Sequence, residues 1–134
     1  MTHKLINPES LGAPRGYSNG VLTDAGGRLL FVAGQVGWDE RQTITSDNFA
    51  EQFDRALANV VAVVDAAGGA ADHIARLVIY VTNKQEYIAG LKEVGQSYRA
   101  RMGKHFPAMV LVEVKGLLDD SAKVEIEAVA VLNP

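Results

Sequence analysis

The chain has no cysteine. That absence removes disulfides, thiolate nucleophiles and cysteine metal sites together, and it fits a reducing compartment. Positive charge is not in excess either. A formal net charge of -3 offers nothing to a phosphate backbone, so no nucleic-acid partner is expected. Long apolar runs are missing too: the opening MTHKLINPESLG is polar, and the most apolar segment, ANVVAVVDAAGGAA, is broken by Asp65 and two glycines. Neither has the makings of a signal peptide or a membrane span. The expectation is an untethered cytoplasmic protein with no membrane partner.

Several short catalytic signatures are absent. There is no GxSxG elbow, no GxxxxGK[ST] loop and no GxGxxG turn, which leaves serine hydrolase, P-loop and dinucleotide chemistry without support. His3, His73 and His105 are scattered, with neither HxH nor HExxH spacing. No metal and no cofactor are therefore expected. His73 reads as a surface residue beside a strand start, and His105, just before Phe106 and Pro107, as a solvated loop histidine.

What is present is an ordinary globular composition. At 134 residues, 48% apolar and 22% charged, the chain suits one domain over residues 1–134. Residues 1–20 are crowded with Pro8, Gly12, Pro14, Gly16 and Gly20 and predict no regular structure. Val21–Leu22 and RLLFVAGQV read as two short strands joined at Asp24 to Gly27, and Gly34 interrupts the second, as a bulge or a close approach would. Trp38, in a polar stretch, is a lid on the core or the wall of a pocket or interface.

Helical spacing begins after Asp47. Phe49, Phe53, Leu57, Val60 and Val64 share one face, with Ser46 or Asp47 able to cap the start and Gly68–Gly69 ending it. ARLVIYVT is a strand, and Tyr87, Leu91, Val94, Tyr98 and Met102 mark a second helix. From Phe106 to Leu132 the period is two, seen twice around a polar turn near Asp119. Antiparallel pairing there would set Leu111 opposite Glu127 and Met109 opposite Val129 on one sheet face. Glu127 would then reach water at the sheet margin or sit in a partly dry pocket. Glu125, two residues earlier, shares its face and reads as surface decoration.

Two helices cannot cover both faces of one small sheet. The fold expected is an α+β two-layer sandwich, one mixed sheet covered by two helices. The second face, with Met109, Leu111, Val129 and Val131, carries too much apolar surface to stay wet, so copies of the same chain should cover it.

RGYSNGV (15–21), FVAGQVGWD (31–39), QFDRALANVVAVVDAAGG (52–69), FPAM (106–109) and KVEIEAVAVL (123–132) together resemble the RidA family, the reactive-intermediate deaminases also called YjgF. The resemblance implies a chorismate-mutase-like fold, a homotrimer with clefts between subunits, no cofactor, and hydrolysis of small reactive imines or enamines to a carbonyl compound and ammonia. It matches Tyr17 to the tyrosine of a Gly-Pro-Tyr segment, with Arg15 and Gly16 in the two preceding places. Gly34 and Gln35 match Ser-Gly-Gln, with Ala33 for the serine. Glu127 matches the second glutamate of Glu-Ile-Glu-Ala, which helps position the attacking water.

Met109 departs from the pattern, because the deaminase motif is Pro-Ala-Arg and this chain reads Pro107, Ala108, Met109. The arginine grips the substrate carboxylate with two parallel hydrogen bonds, a geometry no thioether copies. Losing a buried pair of that kind costs about 3–5 kcal/mol. The family's asparagine has no clear match; Leu91 or Gly95 falls in its place. The resulting expectation is Glu127 as the catalytic acid group, with Tyr17, Gly34, Met109 and Leu111 binding substrate. Arg15, Gln35, Trp38, Phe106 and Pro107 are the further pocket or interface candidates. A non-catalytic trimer that binds a small metabolite or a partner protein in its clefts is the competing expectation, and an endoribonuclease has only family labels behind it.

Overall fold

The computed structural model describes residues 3–24 and 26–134. Among the described residues six strands and three α-helices follow one another: β1 (Lys4–Ile6), β2 (Gly20–Leu22), β3 (Arg28–Gln35), α1 (Phe49–Ala66), β4 (Ile74–Val81), α2 (Lys84–Ala89), α3 (Leu91–Met102), β5 (Ala108–Glu113) and β6 (Val124–Leu132). The main sheet is four-stranded, in the order β3-β6-β4-β5, and β1 with β2 forms a separate two-stranded sheet. The α+β sandwich is as expected, with helices on one face of a mixed sheet.

The order of strands corrects two expected hairpins. β2 pairs with β1 rather than β3, so the segment expected to be irregular supplies a strand. The turn expected from Asp24 to Gly27 includes Ala25, which lies outside the described residues. β5 runs parallel to β4, Met109 beside Leu77, while β6 lies antiparallel between β3 and β4 with Glu127 beside Val78. The physical reason is the connection. A strand reached through helices α2 and α3 returns parallel to the one before it, and the loop from 114 to 123 is long enough to carry β6 across to the other side of β4.

Helix α1 forms where the periodic apolar face begins. The cap is Asn48, not Ser46 or Asp47: its side chain accepts from the Glu51 N–H at 3.0 Å. Ser46 instead accepts from the Asn48 N–H and donates to the Glu51 carboxylate. At the other end Gly68 turns into the left-handed region at φ 87°. Gly69 N–H and Gly68 N–H then donate back to the carbonyls of Val64 and Asp65, the paired closure that a glycine permits. The second helix is broken at Gly90, whose N–H closes α2 and whose carbonyl opens α3.

Phe53, Leu57, Val60 and Val64 of α1 are buried against Ile74, Leu77, Val81, Val124 and Ile126 of the sheet. Each such side chain contributes about 1.5–3 kcal/mol through loss of contact with water. One polar group sits among them: Gln52 is 1% exposed. Its amide nitrogen donates to the carbonyls of Ser46 and Ser121 at 2.8 and 3.0 Å, and its oxygen accepts from the Lys123 N–H at 2.8 Å. The first turn of helix α1 is thereby tied to the segment before it and to the loop before β6.

That arrangement gives a stability prediction. Gln52→Leu keeps the size and improves the apolar character, yet it orphans backbone groups of three residues. Urea denaturation should show a loss of about 1–3 kcal/mol. Unchanged or increased stability would mean that water satisfies those groups equally well.

Candidate functional site

Alternation along β6 sorts the chemistry. Val124, Ile126, Ala128 and Ala130 enter the core, so Glu125, Glu127 and Val129 stand on the opposite, open face. The same parity puts Arg76, Val78 and Tyr80 of β4 and Val110 and Val112 of β5 on that open face. Leu29 and Phe31 of β3 join them, 63% and 73% exposed. An uncovered apolar face was expected and is present, but Met109 and Leu111 do not belong to it. With β5 paired to β4, both point to the helix side and pack on the core. The shift follows from the parallel pairing, which replaces the register assumed for a hairpin.

The expected grouping of Glu127 with Met109 and Leu111 therefore separates within the protomer. Glu127 lies in a shallow groove of about 190 Å³ with Arg76, Tyr80 and Val129. The Tyr80 hydroxyl donates to the Glu127 carboxylate. This bond holds the phenol above its ordinary range; burial and the neighbouring charges of Glu127 and Glu125 add to the effect, and Arg76 opposes it. Glu125 stands beside Gly34. A side-chain carbon on that glycine would meet the Glu125 Cδ at 2.8 Å, so the carboxyl group occupies the space that the missing side chain leaves. The strand shifts register between Val32 and Gln35, which is the bulge expected at Gly34.

Met109 opens instead toward two hollows at the sheet's β5 edge. One, of about 270 Å³, includes Tyr17, Asn19, Arg76 and Val110. The other, of about 340 Å³, lies under α3 and includes Arg15, Tyr87, Leu91, Arg99 and Phe106. The loop that carries Arg15 and Tyr17 is fastened to this edge. Ser18 N–H donates to the Pro107 carbonyl at 3.0 Å, its hydroxyl donates to the Phe106 carbonyl, and Ser18 bridges Ala108 in parallel. Gly16, at φ 75°, supplies the left-handed turn this approach requires.

Phe106 stacks on Tyr98 with ring centroids 5.2 Å apart and planes 7° from parallel. The Tyr98 hydroxyl donates to the His105 carbonyl at 2.7 Å, and burial drives its phenol pKa up. His105 is not the solvated residue expected: its ring is half-buried and bonds the Ile74 carbonyl at 2.6 Å. Gln35 and Trp38 line neither hollow. Gln35 Nε2 bonds the Ala33 carbonyl, and the Trp38 carbonyl accepts from Arg55 and Asn59. Leu111 packs on the core, and Pro107 is buried.

The structure thus brings Tyr17, Met109, Arg15 and Phe106 to one edge, and Glu127 and Gly34 to the open face. Tyr80 and Arg99 were missed in the sequence. Tyr80 was findable, because a strand joined to the next through helices commonly lies parallel beside it, and alternation along β4 then sets Arg76, Val78 and Tyr80 on one face. Arg99 gave no such signal, because a helix-end arginine is commonly solvated.

With this geometry in view, comparison with known proteins is informative. The family model for Endoribonuclease L-PSP matches residues 8–132. The chain belongs to this family, the YjgF/RidA family. It is 31% identical over 132 residues to a RutC family protein of Pyrococcus abyssi, covering 97% of this chain and 98% of that protein. It is 32% identical over 108 residues to the 2-iminobutanoate/2-iminopropanoate deaminase of Salmonella typhimurium, covering 78% and 80%. The crystal structure of YyfB from Yersinia pestis, described as a protein of unknown function in the conserved Rid family, superposes with a TM-score of 0.86. It is 31% identical and covers 98% of this chain and 100% of that one. The RidA-like fold is thereby established. Among the described residues no helix is long and apolar enough to cross a membrane.

The Tyr80–Glu127 bond yields a pH prediction. A carboxylate that accepts from the neutral phenol disfavours the phenolate, so folding raises the Tyr80 pKa above 10.0. The stabilisation from this pair holds below that pH and is lost as the pH rises through the folded value. A titration of ¹³C-labelled tyrosine by NMR should show this ionisation displaced upward, and Glu127→Gln should bring it back toward 10.0. A Tyr80 pKa unmoved by that substitution would remove the carboxylate as its cause.

Proposed function

We propose that this protein hydrolyses small reactive imines or enamines to a carbonyl compound and ammonia, at clefts formed between copies of the chain. The observation that carries this reading is the pairing of a free-edged carboxylate with a likeness to a named deaminase: Glu127 sits on an open sheet face, positioned by Tyr80, and the Salmonella typhimurium relative is a 2-iminobutanoate/2-iminopropanoate deaminase.

The chemistry asks little of the protein. Water adds to the carbon of the C=N bond, its proton passes to a carboxylate, and the nitrogen takes a proton. The resulting carbinolamine then collapses, its C–N bond breaking to release ammonia and its C–O bond becoming the carbonyl. Tyr80 occupies Oε1 of Glu127, which leaves Oε2 to accept the proton from water. Glu125, two residues away and beside Gly34, is the second carboxylate within the same face.

Assembly supplies the rest of the cleft. Leu29 and Phe31 leave a large apolar area wet in a single chain, a condition that burial against a second copy relieves. Docking on this face would bring the carboxylates of one protomer to the Met109 edge of its neighbour. The RidA resemblance implies three copies. It also implies that Met109 stands where deaminases carry an arginine, so the specificity differs from theirs and the carboxylate, if the substrate has one, is held by other groups.

The separation of Glu127 from Met109 within one chain also favours a second reading, in which the clefts bind a small metabolite or a partner protein without turnover. The endoribonuclease description draws no support from a net charge of -3 and a face bearing two carboxylates.

Ammonia release from imines generated in situ distinguishes these readings. Wild type should accelerate it, and Glu127→Gln should lower the rate about 10²- to 10⁴-fold, the usual range for a positioned acid–base group. Equal rates in the two proteins would remove Glu127 from the reaction, and saturable binding with no turnover would favour the second reading. Phe31→Asp should yield single chains by sedimentation at micromolar concentration; an unchanged mass would place the interface elsewhere.

A further inference from the structure

The 340 Å³ hollow under α3 is the most enclosed chemistry at the β5 edge that the hydrolysis scheme does not use. Its size falls within the range of about 300–1,000 Å³ typical of small-molecule sites. Most of its walls are apolar, including Tyr87, Leu91, Phe106 and Met109, and none of its lining residues is a carboxylate. Two guanidinium groups complete it: Arg15 from the N-terminal loop and Arg99 from the last turns of α3.

Those two cations are unlike Arg101 and Arg55. Arg101 forms a two-pronged pair with Asp54 at 3.0 and 3.1 Å, and Arg55 lies 4.0 Å from Glu40. Arg15 and Arg99 form no ion pair among the described residues. Arg99 is folded back along its helix, with Nη1 only 3.5 Å from where a side-chain carbon at Gly95 would stand. A side-chain carbon there would make only ordinary contact with it, so the guanidinium reaches the hollow without needing the glycine. Arg15 is brought to the same hollow by the Gly16 turn and the attachment of Ser18 to the strand edge.

Two uncompensated positive charges over an apolar hollow attract an anion whose body is also apolar. Low-dielectric walls strengthen the field, and guanidinium forks match a carboxylate. The stacked Phe106–Tyr98 pair gives the body a rigid flat wall, and the Met109 thioether a soft one. A two- or three-carbon acid would leave most of such a volume empty.

Resting on the hydrolase reading above, we infer that this hollow binds 2-oxo and 2-imino acids with a bulky apolar side chain, Arg15 and Arg99 holding the carboxylate and Met109 contacting the side chain. The charge that deaminases place on the strand is thus moved to the loop and the helix. The restriction to bulky substrates then comes from the apolar volume vacated beside Met109.

Isothermal titration with phenylpyruvate and with phenylacetone, its counterpart without the carboxylate, tests the inference. Wild type should bind phenylpyruvate, and Arg15→Gln and Arg99→Gln should each weaken it about tenfold, the double variant about a hundredfold. Phenylacetone should bind more weakly and respond to neither substitution. Both arginines are exposed, so thermal melts should match wild type, and Arg99→Lys should recover part of the loss through charge alone. Phenylpyruvate binding at wild-type strength by the double variant, or no binding by wild type, would overturn the inference. Arginine-dependent phenylpyruvate binding without ammonia release from any imine supports this site while removing the hydrolase reading. Hydrolysis of uncharged imines by a protein that ignores phenylpyruvate does the reverse.

Discussion

The alternation of strand β6 is the constraint on which everything else rests. Its even-numbered residues from Val124 to Ala130 are buried beneath α1, and that burial leaves its odd-numbered neighbours no choice of direction. Glu125, Glu127 and Val129 face away from the core because Ile126 and Ala128 face into it. Slipping the strand by one residue would bury two carboxylates under a helix of phenylalanines and valines. The cost of burying such charges makes the position of the acid groups a consequence of packing, independent of any catalytic use.

A sheet with helices on one side alone has an unfinished second side. Here that side carries Leu29, Phe31, Val110 and Val112 exposed, together with Glu125 and Glu127. Apolar area and carboxylates therefore share one surface. In the proposed reading this is economical: the association that removes the apolar area from water also walls in the carboxylates. The β5 edge, with Met109 and the loop pinned by Ser18, carries hollows already formed in the single chain.

Much of this was legible in the sequence. The 3.6-residue spacing of α1, the two-residue alternation of β6, the break at Gly34 and the terminating glycines at 68 and 69 all reappear where local physics places them. The family fragments ran through nearly the whole chain, and the fold agreed. What failed was partner choice among strands. Alternation reports which residues share a face of their own strand but not which strand lies alongside, and the shortest loop is a tempting guide. Pairing β5 with β4 instead of β6 moved Met109 and Leu111 to the helix side, although their own alternation had been read correctly. Leu111 was expected to bind substrate, and Gln35 and Trp38 to stand at a pocket or interface; Leu111 packs on the core, and Gln35 and Trp38 line neither hollow beside Met109. Arg99 escaped notice because only the fold brings helix α3 over the strand edge.

The central claim is that the carboxylates of one protomer work with the Met109 edge of another. Mixing two inactive variants tests it most directly: Glu127→Gln, which lacks the acid, and Met109→Trp, which fills the adjoining hollow, are unfolded together, refolded and assayed for ammonia release from an imine. If each site draws on two chains, random assembly should restore about a quarter of the native rate. A mixture no more active than the two variants refolded separately would contradict the account.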